Sequence, residues 1–307
     1  MSVSYVSALL AAKEACASQH YPQGALYVVA TPIGNLADIS LRALQVLVLA
    51  DTVACEDTRH TQQMLRAYGI EKTGGQLMAL HQHNEAQGAQ ALIGLLRQGQ
   101  RVAYVSDAGT PGISDPGARL VAAVQSQGLR SIPLPGASSV IALLSVAGCA
   151  DGTGARGGFA FEGFLPSKAT ERAQAVAVLQ SEARAVVLLE APHRIEALAL
   201  ALGVLGERLV TVGRELTKQF EEIATLPAKE LSAWFAADSN RLRGEFALVL
   251  HPLPPQTTEG LQDSVLRLLL PELPLKTAVK LAAEITGQSR NALYELALEI
   301  KREEDPH

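Results

Sequence analysis

The sequence predicts an α/β protein whose first half is built on a mainly parallel sheet. Three observations carry this. Five short runs of β-formers, over 26–30, 52–55, 77–80, 102–105 and 131–134, alternate with helical patterns at βαβ spacing. The chain is 48% apolar but only 4% aromatic, so its core is made of Ala, Leu and Val, as in a parallel sheet covered on both faces. Each run also ends in a polar or Gly/Pro-rich cluster, starting at Thr31, Glu56, His81, Ser106 and Pro135. In a parallel sheet such ends share one edge, so the clusters converge on one cleft.

In chain order, residues 1–23 read as a tail with a loose helix over 6–17. The first strand runs into Thr31-Pro32-Ile33-Gly34-Asn35, and Asp38 or Ser40 caps a helix to Ala50. Thr52–Cys55 ends in Glu56-Asp57-Thr58-Arg59-His60-Thr61, where Asp57 or Thr58 starts the next helix. The third strand leads into His81-Gln82-His83-Asn84-Glu85 and a helix over 85–97. After the fifth strand comes Pro135-Gly136-Ala137-Ser138-Ser139. Beyond a Gly-rich connection at 151–158 the pattern restarts. Strands are expected at 159–164, 185–190, 208–212 and 246–251, with helices at 168–180, 193–205 and 228–236. Pro252-Leu253-Pro254-Pro255 reads as a linker. Three helical patterns follow at 261–270, 276–286 and 289–301. Gly287 sits in the turn between the last two and Ser289 is a candidate N-cap, which is the shape of a helix-turn-helix or of a small packing cap.

The most informative stretch is 102–117. A strand, Val102–Val105, stops in Ser106-Asp107-Ala108-Gly109-Thr110-Pro111-Gly112-Ile113-Ser114, and Asp115-Pro116 then opens an apolar helical pattern with Asp115 as N-cap. An ordinary βα loop needs about two to six residues and this one is longer, so it reads as a ligand loop.

Several function classes are excluded. The chain has 307 residues and a net charge of −5, so no strongly basic nucleic-acid footprint covers it as a whole. Its three cysteines, Cys16, Cys55 and Cys149, lack CxxC spacing, against a disulfide scaffold or structural zinc. No basic-then-apolar leader is present, and the apolar run at 140–150 is far shorter than the roughly 20 residues of a membrane span. The expectation is a soluble, cytoplasmic protein. P-loop, G-x-G-x-x-G and G-x-S-x-G signatures are absent. His81-x-His83 with Glu85 offers no further ligand, and no metal is expected.

Taken together, Thr31-Pro32-Ile33-Gly34-Asn35-Leu36, Glu56-Asp57-Thr58-Arg59, Ser106-Asp107-Ala108-Gly109-Thr110-Pro111 and Pro133-Leu134-Pro135-Gly136 resemble the tetrapyrrole-methylase superfamily. More narrowly they resemble the ribosomal RNA small subunit methyltransferase I family. The second half agrees through Phe161-Glu162-Gly163-Phe164-Leu165-Pro166, Glu190-Ala191-Pro192-His193-Arg194, Arg214-Glu215-Leu216-Thr217-Lys218, Leu273-Pro274-Leu275-Lys276 and Asn291-Ala292-Leu293-Tyr294. The resemblance covers about residues 24–301. It implies two α/β domains, 24–136 and 137–253, with S-adenosylmethionine (SAM) in the cleft between them, a helical unit at 258–307, and a homodimer. It also implies methyl transfer to the ribose 2′-oxygen of a decoding-centre cytidine in 16S rRNA, within the small ribosomal subunit.

The resemblance places SAM against Pro32, Ser106, Asp107, Ala108, Gly109, Ala137, Ser138, Phe161, Leu189, Glu190, Ala191, Pro192, Gly244 and Glu245. A ribose hydroxyl is a weak nucleophile, so a base or an oriented donor–acceptor pair is expected beside it. Glu56, Asp57, Arg59 and His60 form the candidate catalytic cluster, with His81, His83 and His193 as further candidates near the cleft. Arg59 and Arg194 are candidate phosphate clamps or structural ion-pair partners. Lys276, Lys280 and Arg290 are a candidate basic RNA face in a helical unit that is slightly acidic overall. Two other readings stay open: a small-molecule, tetrapyrrole-like methyltransferase, and an RNA-binding assembly factor without turnover.

Overall fold

The computed structural model describes residues 5–81, 85–149, 158–253 and 258–304. The chain begins with α1 (Val6–Ala15), β1 (Ala25–Val29), α2 (Leu41–Leu49), β2 (Thr52–Cys55), α3 (Thr58–Ala67) and β3 (Leu77–Ala79). Next come α4 (Glu85–Arg97), β4 (Val102–Val105), α5 (Gly117–Ser126), β5 (Arg130–Leu134) and α6 (Ser139–Val146). The second half holds β6 (Phe159–Gly163), α7 (Ala169–Leu179), β7 (Ala185–Glu190), α8 (Ile195–Leu202), β8 (Leu209–Arg214), β9 (Glu222–Pro227), α9 (Leu231–Ala236) and β10 (Phe246–Leu250). The C-terminal helices are α10 (Thr258–Leu269), α11 (Leu275–Thr286) and α12 (Arg290–Glu304).

The first sheet has the order β3-β2-β4-β1-β5, and every pairing in it is parallel. Its central strands β2 and β4 are buried along their whole length, which is why they read as unbroken apolar runs. Helices α2 and α3 start where side-chain caps satisfy their first N–H groups. Ser40 Oγ accepts from Ala43 N at 3.1 Å, and Asp57 Oδ1 accepts from Arg59 N at 2.8 Å and His60 N at 3.4 Å. The crossovers leave the carboxyl ends of β1, β2, β4 and β5 on one edge, so the stretches after Val29, Cys55, Val105 and Leu134 are neighbours.

The second sheet has the order β6-β7-β10-β8-β9 and is mixed. Only β6 and β7 are parallel, and the remaining pairings are antiparallel. Phe246 of β10 pairs with both Glu190 of β7 and Arg214 of β8. The end of β7, the end of β8 and the start of β10 therefore meet at one edge. Helix α6 belongs with this sheet: Val140, Leu143 and Ala147 pack with Ala185, Val187, Ala247 and Val249.

Four expectations need correction. Residues 6–15 are no loose tail: Ala12 is buried, Leu9 and Tyr5 pack on the first core, and Tyr5 meets Tyr68 edge-on at 5.0 Å. Strand β9 was not expected, because an edge strand has one partner and its alternation, broken by exposed Ile223, carries little signal. The helix expected over 193–205 is α8 between two single 3-10 turns, Pro192–Arg194 and Gly203–Leu205, since Pro192 and Gly203 do not favour continuous α-helix. Helix α5 begins at Gly117, two residues after Asp115, so Pro116 precedes the helix.

Residues 5–149 and 158–251 form one compact unit that holds both sheets, and the helices beyond Pro252 form another. The latter has its own core of Leu266, Ala278, Ala282, Leu293, Ala297 and Ile300. Gly287 ends α11 in the left-handed region at φ 71°, and Ser289 Oγ accepts from Ala292 N at 3.3 Å, as the sequence suggested. The Gly-rich stretch 151–157, His83 and residues 254–257 lie outside the described residues. No helix among the described residues is long and apolar enough to cross a membrane.

Candidate active site

The polar clusters are tied to one another by backbone bonds. Thr31 and Gly109 exchange both of theirs, Thr31 N to Gly109 O at 2.9 Å and Gly109 N to Thr31 O at 3.0 Å. Thr31 Oγ1 donates to Ser106 O at 3.3 Å, and Thr110 Oγ1 donates to Ala137 O at 2.9 Å. Gly109 takes φ 81°, a left-handed conformation that glycine adopts without a Cβ clash. The turns after β1, β4 and β5 thus form one wall.

Asp115 organises the far end of that wall. Its Oδ2 accepts from Gly112 N at 2.7 Å, and its Oδ1 accepts from Gly117 N at 2.7 Å and from the Tyr104 hydroxyl at 3.2 Å. It therefore caps the entry to α5 from one residue further out than expected, and closes the loop on itself. Ser114 beside it is held at φ 67°, a conformation that costs a non-glycine residue about 1–3 kcal/mol and survives only where neighbours impose it.

The opposite wall comes from the second sheet. A cavity of about 380 Å3 lies between the two, within the roughly 300–1,000 Å3 typical of small-molecule sites. The first wall supplies Ile33, Glu56, Ser106–Gly109 and the loop to Asp115. The second supplies Ser138–Val140 at the start of α6, Leu189–Pro192, Leu216 and Glu245–Ala247. The lining combines an apolar floor with carboxylates, and no Lys, Arg or His is part of it among the described residues.

Those carboxylates differ. Burial pushes the Glu56 carboxyl above the ordinary glutamate value, and the nearby Asp107 and Asp115 charges push it further; a bond from the Asp107 N–H only partly offsets this. Asp57 moves the other way, lowered by the Arg59 N–H, the Arg59 guanidinium and the His60 N–H. The proton affinities of two adjacent acids are thereby moved apart, upward for Glu56 and downward for the helix cap Asp57. Glu190 is 3% exposed. Its Oε1 accepts from Ala191 N at 2.9 Å and pairs with Arg194 Nε at 3.0 Å, while Oε2 is buried with no protein partner. A buried acceptor without a protein partner on a cavity wall leaves one hydrogen-bonding position open to a ligand donor.

Residues 25–232 match the family model of tetrapyrrole (corrin/porphyrin) methylases, and residues 257–301 match that of the RsmI C-terminal HTH domain. The chain is 47% identical over 289 residues to the ribosomal RNA small subunit methyltransferase I of Neisseria meningitidis serogroup A, covering 93% of this chain and 97% of that one. It is 48% identical to the protein of that name from Pseudomonas aeruginosa, covering 90% and 97%. This chain belongs to the ribosomal RNA small subunit methyltransferase I family. Among solved structures, the uroporphyrin-III C-methyltransferase of Thermus thermophilus aligns with TM-score 0.53 at 23% identity over 75% of this chain and 94% of that one. Diphthine synthase aligns with TM-score 0.53 at 16% identity over 74% and 90%. These likenesses establish the shared α/β fold.

Within this family fold, the cavity gathers many of the residues picked from sequence. Ser106, Asp107, Ala108, Gly109, Ser138, Leu189, Glu190, Ala191, Pro192, Glu245 and Glu56 all line it. Pro32, Ala137, Phe161 and Gly244 do not. Pro32 yields the place to its neighbour Ile33, and Ala137 contributes its carbonyl to Thr110. Phe161 packs inward beside Val140 and Leu143, where β6 shifts register between Phe161 and Gly163. Gly244, at φ 94°, leaves room for the Glu215 carboxylate.

Asp57, Arg59 and His60 flank the cavity. Asp57 N donates to Asp107 Oδ1 at 3.3 Å, and His60 Nε2 lies 3.1 Å from Asp107 O. Arg59, with a side chain 91% exposed, reaches only Asp57, at 3.4 Å. Arg194 points inward, to Glu190 and to the Leu165 carbonyl, and so holds the ion-pair role. His193 is exposed in the turn before α8. Lys276, Lys280 and Arg290 are exposed on the separate helical unit. The apolar lining residues Ile33, Val140, Leu216 and Phe246 were not picked as cofactor contacts from sequence, although Ile33 lies in the turn after the first strand and Leu216 in the 214–218 motif. Thr110 and Ser114 lie in the loop read from sequence as a ligand loop, but were not singled out within it.

Proposed function

We propose that this chain is a SAM-dependent methyltransferase acting on the RNA of the small ribosomal subunit, at the ribose 2′-oxygen of a cytidine in 16S rRNA. The observation that carries this is near-full-length identity of 47% to a protein named as a ribosomal RNA small subunit methyltransferase, on a fold whose loops enclose a cavity of cofactor size. The apolar residues Ile33, Leu189, Leu216 and Phe246 suit a purine, and Asp107 and the free oxygen of Glu190 suit amine or hydroxyl donors. SAM supplies an activated methyl group on a cationic sulfonium, and a cavity lined by carboxylates without bases favours that charge.

The protein's own task is to align the ribose oxygen with that methyl and to take its proton. Alignment in a closed cleft removes most of the entropic barrier to a bimolecular step. Glu56 is the proposed proton acceptor, because its raised affinity for protons comes from burial among other acids at the cavity wall. Arg59 is the proposed phosphate contact at the cleft mouth, the Lys276, Lys280 and Arg290 face a second RNA contact, and the active species a cytoplasmic homodimer.

Purified protein, SAM and small ribosomal subunits lacking the modification form the direct test. Mass mapping of digested 16S rRNA is expected to show one added methyl on a cytidine ribose. No incorporation, with subunits and naked RNA both tried, would reject the reading. In the same assay Arg59→Ala is expected to raise the KM for subunits about tenfold, the worth of one phosphate contact of 1–2 kcal/mol, with SAM affinity by calorimetry unchanged. Unaltered KM would remove Arg59 from the RNA contact.

A further inference from the structure

Of the Arg214–Lys218 motif only Leu216 meets the proposed cofactor, yet the motif's geometry is tightly constrained. Glu215 and Thr217 both sit in the left-handed region, at φ 52° and 67°, although neither is glycine. Each such residue costs about 1–3 kcal/mol and is kept only where surrounding contacts over-determine it. The contacts are visible. Glu215 N donates to Glu245 O at 3.0 Å, and Glu215 Oε1 accepts from Glu245 N at 3.0 Å. Lys218 Nζ then bonds Glu215 Oε1 at 2.7 Å and Glu245 Oε2 at 2.9 Å. Burial alone would raise the Glu215 carboxyl, but Lys218 and the Glu245 N–H bring it below the ordinary value.

This strap touches the first sheet's wall. A Cβ built on Gly34 would fall 2.4 Å from Lys218 Cγ, 2.9 Å from Lys218 Cε and 3.1 Å from the Leu216 carbonyl. The Lys218 stem thus lies directly on the turn after β1. One residue earlier in that turn, Ile33 packs into the second sheet's apolar cluster with Leu216. Ile33, Leu216 and Glu245 all line the cavity.

We infer that Lys218 is a positioning residue that clasps the Gly34 turn to the Glu215–Glu245 strap and so sets the width of the SAM cleft. This rests on the reading of the cavity as a SAM site. The clasp has two separable parts. The aliphatic stem occupies the space that a side chain at position 34 would need, and the ammonium holds the strap's carboxylates together.

The test is a cycle of Gly34→Ala in three backgrounds, native Lys218, Lys218→Ala and Lys218→Met. The readouts are SAM affinity by calorimetry, the KM values for SAM and for subunits, kcat, and thermal unfolding without ligand. With Lys218 present, Gly34→Ala is expected to weaken SAM binding about tenfold, within the range of coupling between touching residues. With Lys218→Ala the same change is expected to cost less than about twofold, since the stem is gone and only the Leu216 carbonyl must shift slightly. With Lys218→Met, which keeps the stem, the cost is expected to return. The effect should fall on the KM for SAM and leave that for subunits unchanged.

Equal costs in all three backgrounds would overturn the clasp, as would losses confined to unfolding temperature. Should Gly34→Ala alone fail to fold, the double variant with Lys218→Ala is expected to fold and bind, and its failure would also count against the clasp. Absence of SAM binding by the native protein would instead reject the reading of the cavity.

Discussion

Glu56→Gln is expected to lower kcat on small ribosomal subunits by about 10²–10⁴-fold, the usual contribution of a positioned general base, with little change in SAM affinity. The substitution keeps the size and polarity of the side chain and removes its ability to accept a proton. The sign of the pH dependence follows from the surroundings. Burial first, then the Asp107 and Asp115 charges, raise the Glu56 carboxyl above its ordinary range. The native rate should therefore increase with pH as Glu56 ionises, along a limb displaced upward from that of a free glutamate, and this limb should vanish in Glu56→Gln. Single-turnover methylation against pH measures both. A full rate in the variant, or an unshifted limb, would assign the proton elsewhere. The contrast with Asp57 sharpens the test. Oδ1 of that carboxylate accepts from the Arg59 and His60 N–H groups at the start of α3, which lowers its affinity for protons where that of Glu56 is raised. Asp57→Asn should act through the seating of α3 and leave the acid limb in place.

Much of this cleft is legible in the sequence, and for a definite reason. In a parallel sheet the crossovers force the carboxyl ends onto one edge, so finding β1, β2, β4 and β5 was enough to bring Ile33's turn, Glu56, Ser106 and Ser138 together. Caps were readable because they are local: Ser40, Asp57 and Ser289 each satisfy an N–H two or three residues away. The second wall was harder. Its residues Leu189 and Glu190 came from likeness to a family, since β7, β10 and β8 form an antiparallel ladder whose order no local pattern specifies. The strap at 215–218 was opaque because its shape depends on positive φ at Glu and Thr, where turn rules look for Gly or Asn. Leu216 and Phe246 were missed for a simpler reason: an apolar side chain lining a cavity has the same sequence signature as one filling a core.

Asp115→Ala is expected to destabilise the protein by about 2–3 kcal/mol and to weaken SAM binding at least about tenfold. One carboxylate holds the Gly112 and Gly117 N–H groups and the Tyr104 hydroxyl, and hydrogen bonds to a charged group are worth about 1.5–3 kcal/mol each before relaxation. Part of the loss is recovered, because Ser114 escapes its left-handed backbone once the loop opens. The cost in binding is larger than the cost in folding suggests. The loop from Asp107 to Asp115 is a wall of the cavity, and a wall that must be ordered by its ligand draws on binding energy. Denaturant unfolding and calorimetry measure the two losses separately. Asp115→Asn separates geometry from charge. Its amide oxygen can retain one of the two N–H bonds, so it should bind SAM better than the alanine variant does. It also removes one of the charges that raise Glu56, so the acid limb of the methylation rate should move to lower pH in both variants. A limb that stays fixed while the loop is disrupted would show that Asp115 shapes the cleft without tuning the base.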